Sequence, residues 1–239
     1  MNKSLILLST MLLFGPATAA ISLDRTRVIY PGSTNSISIS IRNNNKMLPY
    51  LAHAWLEDES GNRINSPFTV LPPLQRLEPD MDSLVKIQAL PAVSMLPQDR
   101  ESLFYFNLRE IPPRSNKPNT LQLAMQTRIK LFYRPKDLLS DRNGNNSLWQ
   151  EKLILESVNG KYHLTNPTPY YVTIVDAANS STDEVLKNFN PLMIAPNSSV
   201  IINFNISMLG DQPAFTYIDD YGGRRTLSYN CTAQCRLEN

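Results

Sequence analysis

Cysteine, histidine and glycine are scarce in this chain of 239 residues. Two cysteines and two histidines leave too few ligands for most zinc centres and too few bases for a histidine-based triad. Eight glycines against eighteen prolines leave little room for glycine-rich phosphate loops or long helices. An excess of charge is also missing. With 23 Lys and Arg against 21 Asp and Glu, no blanket binding of nucleic acid or another polyanion is expected, and electrostatic recognition must be local. The chain has no P-loop, G-x-G-x-x-G, G-x-S-x-G or H-E-x-x-H motif. Ser83-Leu84-Val85-Lys86 matches S-x-x-K, but it alternates like a strand and has no S-D-N or K-T-G partner. No catalytic residue, cofactor or metal is expected, and the protein is read as a non-enzyme.

What is present begins with an export signal. Lys3 precedes an apolar run from Leu5 to Phe14, broken only by Ser9 and Thr10, and Ala17-Thr18-Ala19 follows. This reads as a signal peptide over residues 1–19, too short for a transmembrane span, so no membrane insertion is expected. Export makes the C-terminal pair legible: Cys231 and Cys235 are expected to bridge in an oxidising compartment. Beyond the leader, five N-x-S/T sequons, at Asn145, Asn179, Asn197, Asn205 and Asn230, matter only in a glycosylating pathway.

The dominant period along the chain is two. Ile37, Ile39 and Ile41 alternate with polar residues; Val85, Ile87 and Ala89 do so again, and Phe104, Phe106 and Leu108 a third time. Leu51–Glu57 is strand-like and carries Trp55, and Leu121–Tyr133 is the longest strand candidate. Turn signals such as Pro31-Gly32, Ser60-Gly61-Asn62 and Pro112-Pro113 separate the runs. A polar stretch, Ser140–Ser147, reads as a linker before a second series: Lys152–Glu156, Tyr162–Thr165, Tyr170–Asp176, Ser199–Ser207, Phe215–Asp219 and Arg225–Cys231. Asp183–Asn188 has room for one helical turn. The expectation is all-β: two small β-sandwiches over residues 20–138 and 139–239, without a clear sequence repeat. Adjacent Asp219 and Asp220 are read as strand residues that face opposite ways, which disfavours a shared carboxylate or calcium site.

One segment is far more specific than composition. Residues 96–112, Leu-Pro-Gln-Asp-Arg-Glu-Ser-Leu-Phe-Tyr-Phe-Asn-Leu-Arg-Glu-Ile-Pro, resemble the signature of the periplasmic pilus-assembly chaperones of the chaperone–usher pathway, and the P-pilus branch most. Ile21–Arg27, Leu48–Leu51 with Trp55, Gln75–Pro79, Lys130–Pro135, Asn166–Tyr171 and Asp220–Gly223 fit that family in order. The resemblance implies two immunoglobulin-like β-sandwich domains set as a boomerang around a central cleft. It implies a periplasmic chaperone that binds pilus subunits and adhesin, completes them by donor-strand complementation, and delivers them to an outer-membrane usher. Whether the unloaded chain pairs with itself through the donor edge is left open. The competing reading is a secreted immunoglobulin-like adhesin or receptor module.

The resemblance also assigns roles. Leu121, Leu123 and Met125 match the donor strand. Without the resemblance the pattern favours the domain's own core for them, as in any edge strand. Arg27 and Lys130 match the residues that grip a pilin's terminal carboxylate, a sound use of two converging cations. Simple alternation puts Lys130 on the face opposite Leu121, Leu123 and Met125, so a bulge or strand twist is expected to reconcile them. Glu101, Arg134 and Asp220 match an interdomain ionic network.

Overall fold

A computed structural model describes residues 19–116, 118–139, 148–232 and 234–238. Residues 1–18 of the expected leader and the expected linker Ser140–Ser147 lie outside the described residues.

Among the described residues the first half holds ten strands: β1 (Ile21–Leu23), β2 (Arg27–Pro31), β3 (Ser36–Asn43), β4 (Tyr50–Glu57), β5 (Arg63–Ile64), β6 (Phe68–Leu71), β7 (Leu74–Leu77), β8 (Asp82–Ala89), β9 (Ser102–Ile111) and β10 (Gln126–Arg134). They form two sheets. One has the order β1-β3-β8-β6; the other runs β2-β10-β9-β4-β5, with β7 also pairing β4. The alternating residues do what period two requires. Ile39, Ile41, Val85 and Ile87 from the first sheet meet Leu56, Phe104, Phe106, Leu108, Ile129, Leu131 and Tyr133 from the second in one core. The chain changes sheets between β1 and β2, within Asp24-Arg25-Thr26. After β2 it turns at Gly32, whose N–H donates to the Arg134 carbonyl at 2.7 Å. A Cβ there would sit 2.9 Å from the Lys136 nitrogen, so only glycine permits the approach.

The second half holds β11 (Ile154–Val158), β12 (Lys161–Asn166), β13 (Val172–Ala178), β14 (Leu192–Ile194), β15 (Ser198–Asn205), β16 (Ala214–Ile218), β17 (Arg224–Asn230) and β18 (Arg236–Leu237). A sheet β11-β12-β15 packs on a sheet β14-β13-β16-β17-β18. Leu155, Leu164 and Ile202 face Ile174, Phe215, Tyr217 and Leu227 across the second core. The two sandwiches share a device with no sequence signal. At the end of β3, the buried Asn43 amide donates to the carbonyls of Leu48, Leu77 and Glu78. At the end of β12, the buried Asn166 amide donates to Tyr170, Ile194 and Ala195. Each amide satisfies carbonyls that would otherwise be buried unpaired.

Three expectations need correction. Asp183–Asn188 is not helical: the Leu186 N–H donates to the Ala177 carbonyl at 2.8 Å, which ties the segment to the end of β13. Among the described residues the one α-helical turn is Ile206–Leu209, and it ends β15 at Asn205; short 3-10 turns lie at Pro91–Met95, Lys136–Leu138 and Trp149–Lys152. Asp219 and Asp220 lie beyond β16, in the turn to β17, although their carboxylates do go to separate partners. Asp219 accepts from the Tyr221 and Gly223 amides and from Arg225; Asp220 accepts from Arg134.

Cys231 and Cys235 are disulfide-bonded and pack at the border of the second core. A loop this short gives about 2 kcal/mol in chain-entropy terms. The Cys231→Ser, Cys235→Ser variant should stay folded but lose about 2 kcal/mol of unfolding free energy, seen as a lower denaturant midpoint. Equal midpoints for the two proteins would remove the stabilising role.

Candidate functional site

Strand β10 is paired unevenly. On one edge β9 accompanies it from Gln126 to Tyr133. On the other edge β2 runs parallel to it, but only along Lys130–Arg134. Gln126–Ile129 therefore present a free edge among the described residues, and the chain before them extends it. The strand begins at Gln126, not at Leu121 as expected. Continuing the β9 register places Met125 opposite Glu110, whose N–H still donates to the Met125 carbonyl at 3.0 Å. Leu123 and Gln122 then fall opposite Pro112 and Pro113, which have no N–H to continue the ladder. The Gln122 side chain takes over there, donating to the Pro113 carbonyl at 2.5 Å and accepting from the Ser115 amide at 3.2 Å.

Leu121, Leu123 and Met125 keep the parity of Ile129, Leu131 and Tyr133, which are core residues. Beyond the end of the core that parity meets solvent: the three are 83%, 69% and 43% exposed. Their own domain leaves Leu121 and Leu123 largely uncovered and Met125 partly so.

The free edge stops at two cations. Arg27 and Lys130 are direct partners in the parallel β2–β10 ladder. Arg27 Nη1 donates to the Ile218 carbonyl at 3.2 Å and Lys130 Nζ to Thr173 Oγ1 at 3.0 Å, so both reach to the second sandwich. Neither has a carboxylate within ion-pair distance among the described residues, and Arg27 Nε is buried without an acceptor. Burial, then the neighbouring Arg27, pushes the Lys130 ammonium down to about 8. Burial also lowers Arg27, against the opposing pull of Asp220 and Asp219. Two half-buried cations side by side are poised for an anion. Lys130 does lie on the face opposite the three apolar residues, but no bulge interrupts β10 against either neighbour.

Beside this pair, Arg134 joins the two halves. Its Nε donates to Glu101 at 2.8 Å, and Nη1 and Nη2 donate to Asp220 at 2.7 and 3.0 Å. Glu101 also accepts from the Tyr171 amide at 2.8 Å. The guanidinium carbon lies 4.9 Å from the ring centres of both Trp149 and Tyr170, which stack on each other. Burial opposes the charge on Arg134, but Asp220 and Glu101 outweigh it and hold the proton more firmly. Burial raises the Glu101 carboxyl, against the pull of Arg134 and the Tyr171 amide.

Two family models cover nearly all of the described chain. The pili and flagellar-assembly chaperone, PapD N-terminal domain, matches residues 20–139, and the pili assembly chaperone PapD, C-terminal domain, matches residues 148–229. The chain belongs to the PapD-like pilus-assembly chaperones. Among similar proteins, the probable fimbrial chaperone YfcS of Escherichia coli (strain K12) is 46% identical over 239 residues, spanning all of this chain and 92% of YfcS. The chaperone protein PapD of Escherichia coli is 47% identical over 245 residues, spanning all of this chain and 99% of PapD. The solved periplasmic chaperone SfaE has a TM-score of 0.70 at 29% identity, with 87% of this chain and 98% of SfaE covered. The family is one of assembly chaperones, not enzymes.

Within this pilus-chaperone fold, sequence reasoning missed the groups that seat the site residues. The Ile218 carbonyl, Thr173, Tyr171 and the Trp149–Tyr170 stack all come from the second sandwich, far along the chain from the residues they touch. Removing one partner of a buried ion pair typically costs about 3–5 kcal/mol. Asp220 would still hold Arg134, so Glu101→Gln should lower stability by about 3 kcal/mol. Equilibrium denaturation checks this, and an unchanged midpoint would mean that the pair carries no stability.

Proposed function

We propose that this chaperone captures pilus subunits by lending them the free edge of β10, with Arg27 and Lys130 as the stop. The observation that carries the reading is the coincidence of three features: an unpaired edge, exposed apolar side chains in core parity, and a pair of uncompensated cations where the edge ends. A sandwich that lacks one strand needs backbone donors and acceptors together with alternate apolar side chains. Residues 121–129 offer both. Leu121 to Met125 spans about 14 Å, and each buried anchor contributes roughly 1.5–3 kcal/mol before ordering costs.

The edge also fixes a direction. An incoming strand can follow β10 only as far as Lys130, where β2 already occupies the edge. A strand parallel to β10 would bring its C-terminal carboxylate to Arg27 and Lys130. An antiparallel strand would bring an ammonium to two cations. Lys130 therefore need not share a face with the leucines: side chains meet the leucine face, and the chain terminus meets the cations. Glu101, Arg134 and Asp220 then hold the two sandwiches in the relation that sets this stop. Adhesin as cargo, handover to an outer-membrane usher, residence in the periplasm and pairing of unloaded copies through the same edge belong to this reading. A generic adhesin module would need neither the free edge nor the cation pair.

Leu123→Glu should leave the fold intact but abolish protection of a pilin from aggregation. Protection at the wild-type level, with unchanged circular dichroism, would refute the assigned face.

The anchor is tested with a peptide that copies the last residues of a pilin, either as free acid or as amide. Charge-assisted bonds contribute about 1.5–3 kcal/mol each, so Arg27→Ala with Lys130→Ala should weaken acid binding on the order of 100-fold or more and erase the preference for the acid. The carboxylate binds the ammonium form of Lys130, so affinity should be level below pH 8 and fall above it. Stability of the unloaded protein moves the other way. The Lys130 value in the folded state is depressed, so the unfolded chain holds more protons between about pH 8 and 10.5, and stability rises across that window. Lys130→Met should lose both trends. Equal wild-type binding of acid and amide would sink the anchor.

A further inference from the structure

Resting on that reading, we propose that Tyr221 and Ile29 form a pocket beside the anchor that receives the last side chain of the bound pilin and selects for apolar or aromatic residues there. A cleft of about 470 Å³ is lined by Asp24, Arg25, Arg27, Ile29, Asp220 and Tyr221. It lies at the start of β2, where a strand laid along the free edge of β10 runs out.

The charges in the lining are mostly spent on each other. Arg25 donates to both Asp24 oxygens, at 2.8 and 2.6 Å. Both Asp220 oxygens accept from Arg134. Among the described residues that leaves Arg27 as the cation without a carboxylate, with the Ile29 side chain and the Tyr221 ring as apolar surface. The wall is therefore complementary to a carboxylate with a hydrophobic group next to it.

Tyr221 is 98% exposed, yet its backbone is firmly held. Asp219 accepts from the Tyr221 amide at 3.0 Å and from the Gly223 amide at 2.7 Å, and the Asp219 N–H donates to the Gly223 carbonyl at 2.9 Å. The turn rests against the first sandwich at Gly222, where an added Cβ would stand 2.5 Å from Thr26 Oγ1 and where φ is +86°. An aromatic ring displayed on a fixed backbone loses little entropy on contact, which is the usual make-up of a binding anchor.

The test uses labelled peptides of alternating apolar residues that end in Phe or in Gly, each as free acid and as amide, titrated into the full chain. Wild type should bind the Phe acid about tenfold more tightly than the Gly acid. Tyr221→Ala should bind both at the Gly level while still preferring acid over amide. Tyr221→Phe, which keeps the ring, should behave like wild type. A Phe preference that survives in Tyr221→Ala, or its absence from wild type, would overturn the pocket alone. Equal binding of acid and amide by wild type would overturn the anchor, and the pocket with it.

Discussion

β2 covers β10 for only five residues, and most of what is distinctive here depends on that partial pairing. A fully paired β10 would be an interior strand with nothing to offer. A wholly unpaired one would be an open edge with no stop. Covering only its C-terminal half makes one strand serve two purposes. Lys130–Arg134 hold the sandwich together, and Gln126–Ile129 with the segment before them stay available. The boundary between the halves falls at the Arg27–Lys130 rung, so register and electrostatics mark the same point. In the proposed mode, a pilin strand is aligned by where β2 begins.

The seam between the sandwiches keeps that point in place. Arg27 and Lys130 are lodged by contacts to Ile218 and Thr173, and Arg134, two residues further along β10 than Phe132, bonds to Glu101 and Asp220. Phe132 itself meets Tyr171 at 5.5 Å between ring centres. The outer face of β10 from Lys130 onward is thus spent on the second sandwich, whereas its inner face is spent on the core. Desolvation of two unpaired cations is unfavourable to the unloaded protein. The structure tolerates this because Arg134 and its two carboxylates, with the Trp149–Tyr170 stack, fasten the seam independently of them.

Much of the fold was legible because it follows from alternation. Period alone assigns Ile37, Ile39 and Ile41 to one face of their strand, and does the same for Val85, Ile87 and Ala89 and for Phe104, Phe106 and Leu108; all are buried except Ile37 and Ala89, which pack half-buried against the core. The start of β10 was not legible in the same way. Leu121–Met125 alternate as well as any strand in the chain, and what ends the ladder is a property of its neighbour: two prolines across the gap. The reason Lys130 can sit on the opposite face from the leucines was hidden too, since it depends on how far β2 extends, and period two within a single segment does not report pairing. Asn43 and Asn166 show the limit most clearly. They do the same job in two sandwiches whose sequences show no repeat, because three buried carbonyls, not a motif, require the amide.

An exposed apolar edge is an aggregation hazard, and the segment's conformation limits it. Leu121–Met125 stay outside the strand, so no long flat edge is on display, and the Gln122 side chain ties the segment to Pro113 and Ser115. The same feature tempers affinity. Ordering five residues costs about 5–10 kcal/mol, and burying three anchors returns about 5–9 kcal/mol. The two nearly cancel. In the proposed mode, the apolar segment alone would barely hold a pilin, and the carboxylate anchor tips the balance. A binder built this way holds its cargo by the correct terminus and releases it when another strand competes for the same groove, since displacing the segment sacrifices little net free energy once the carboxylate is free.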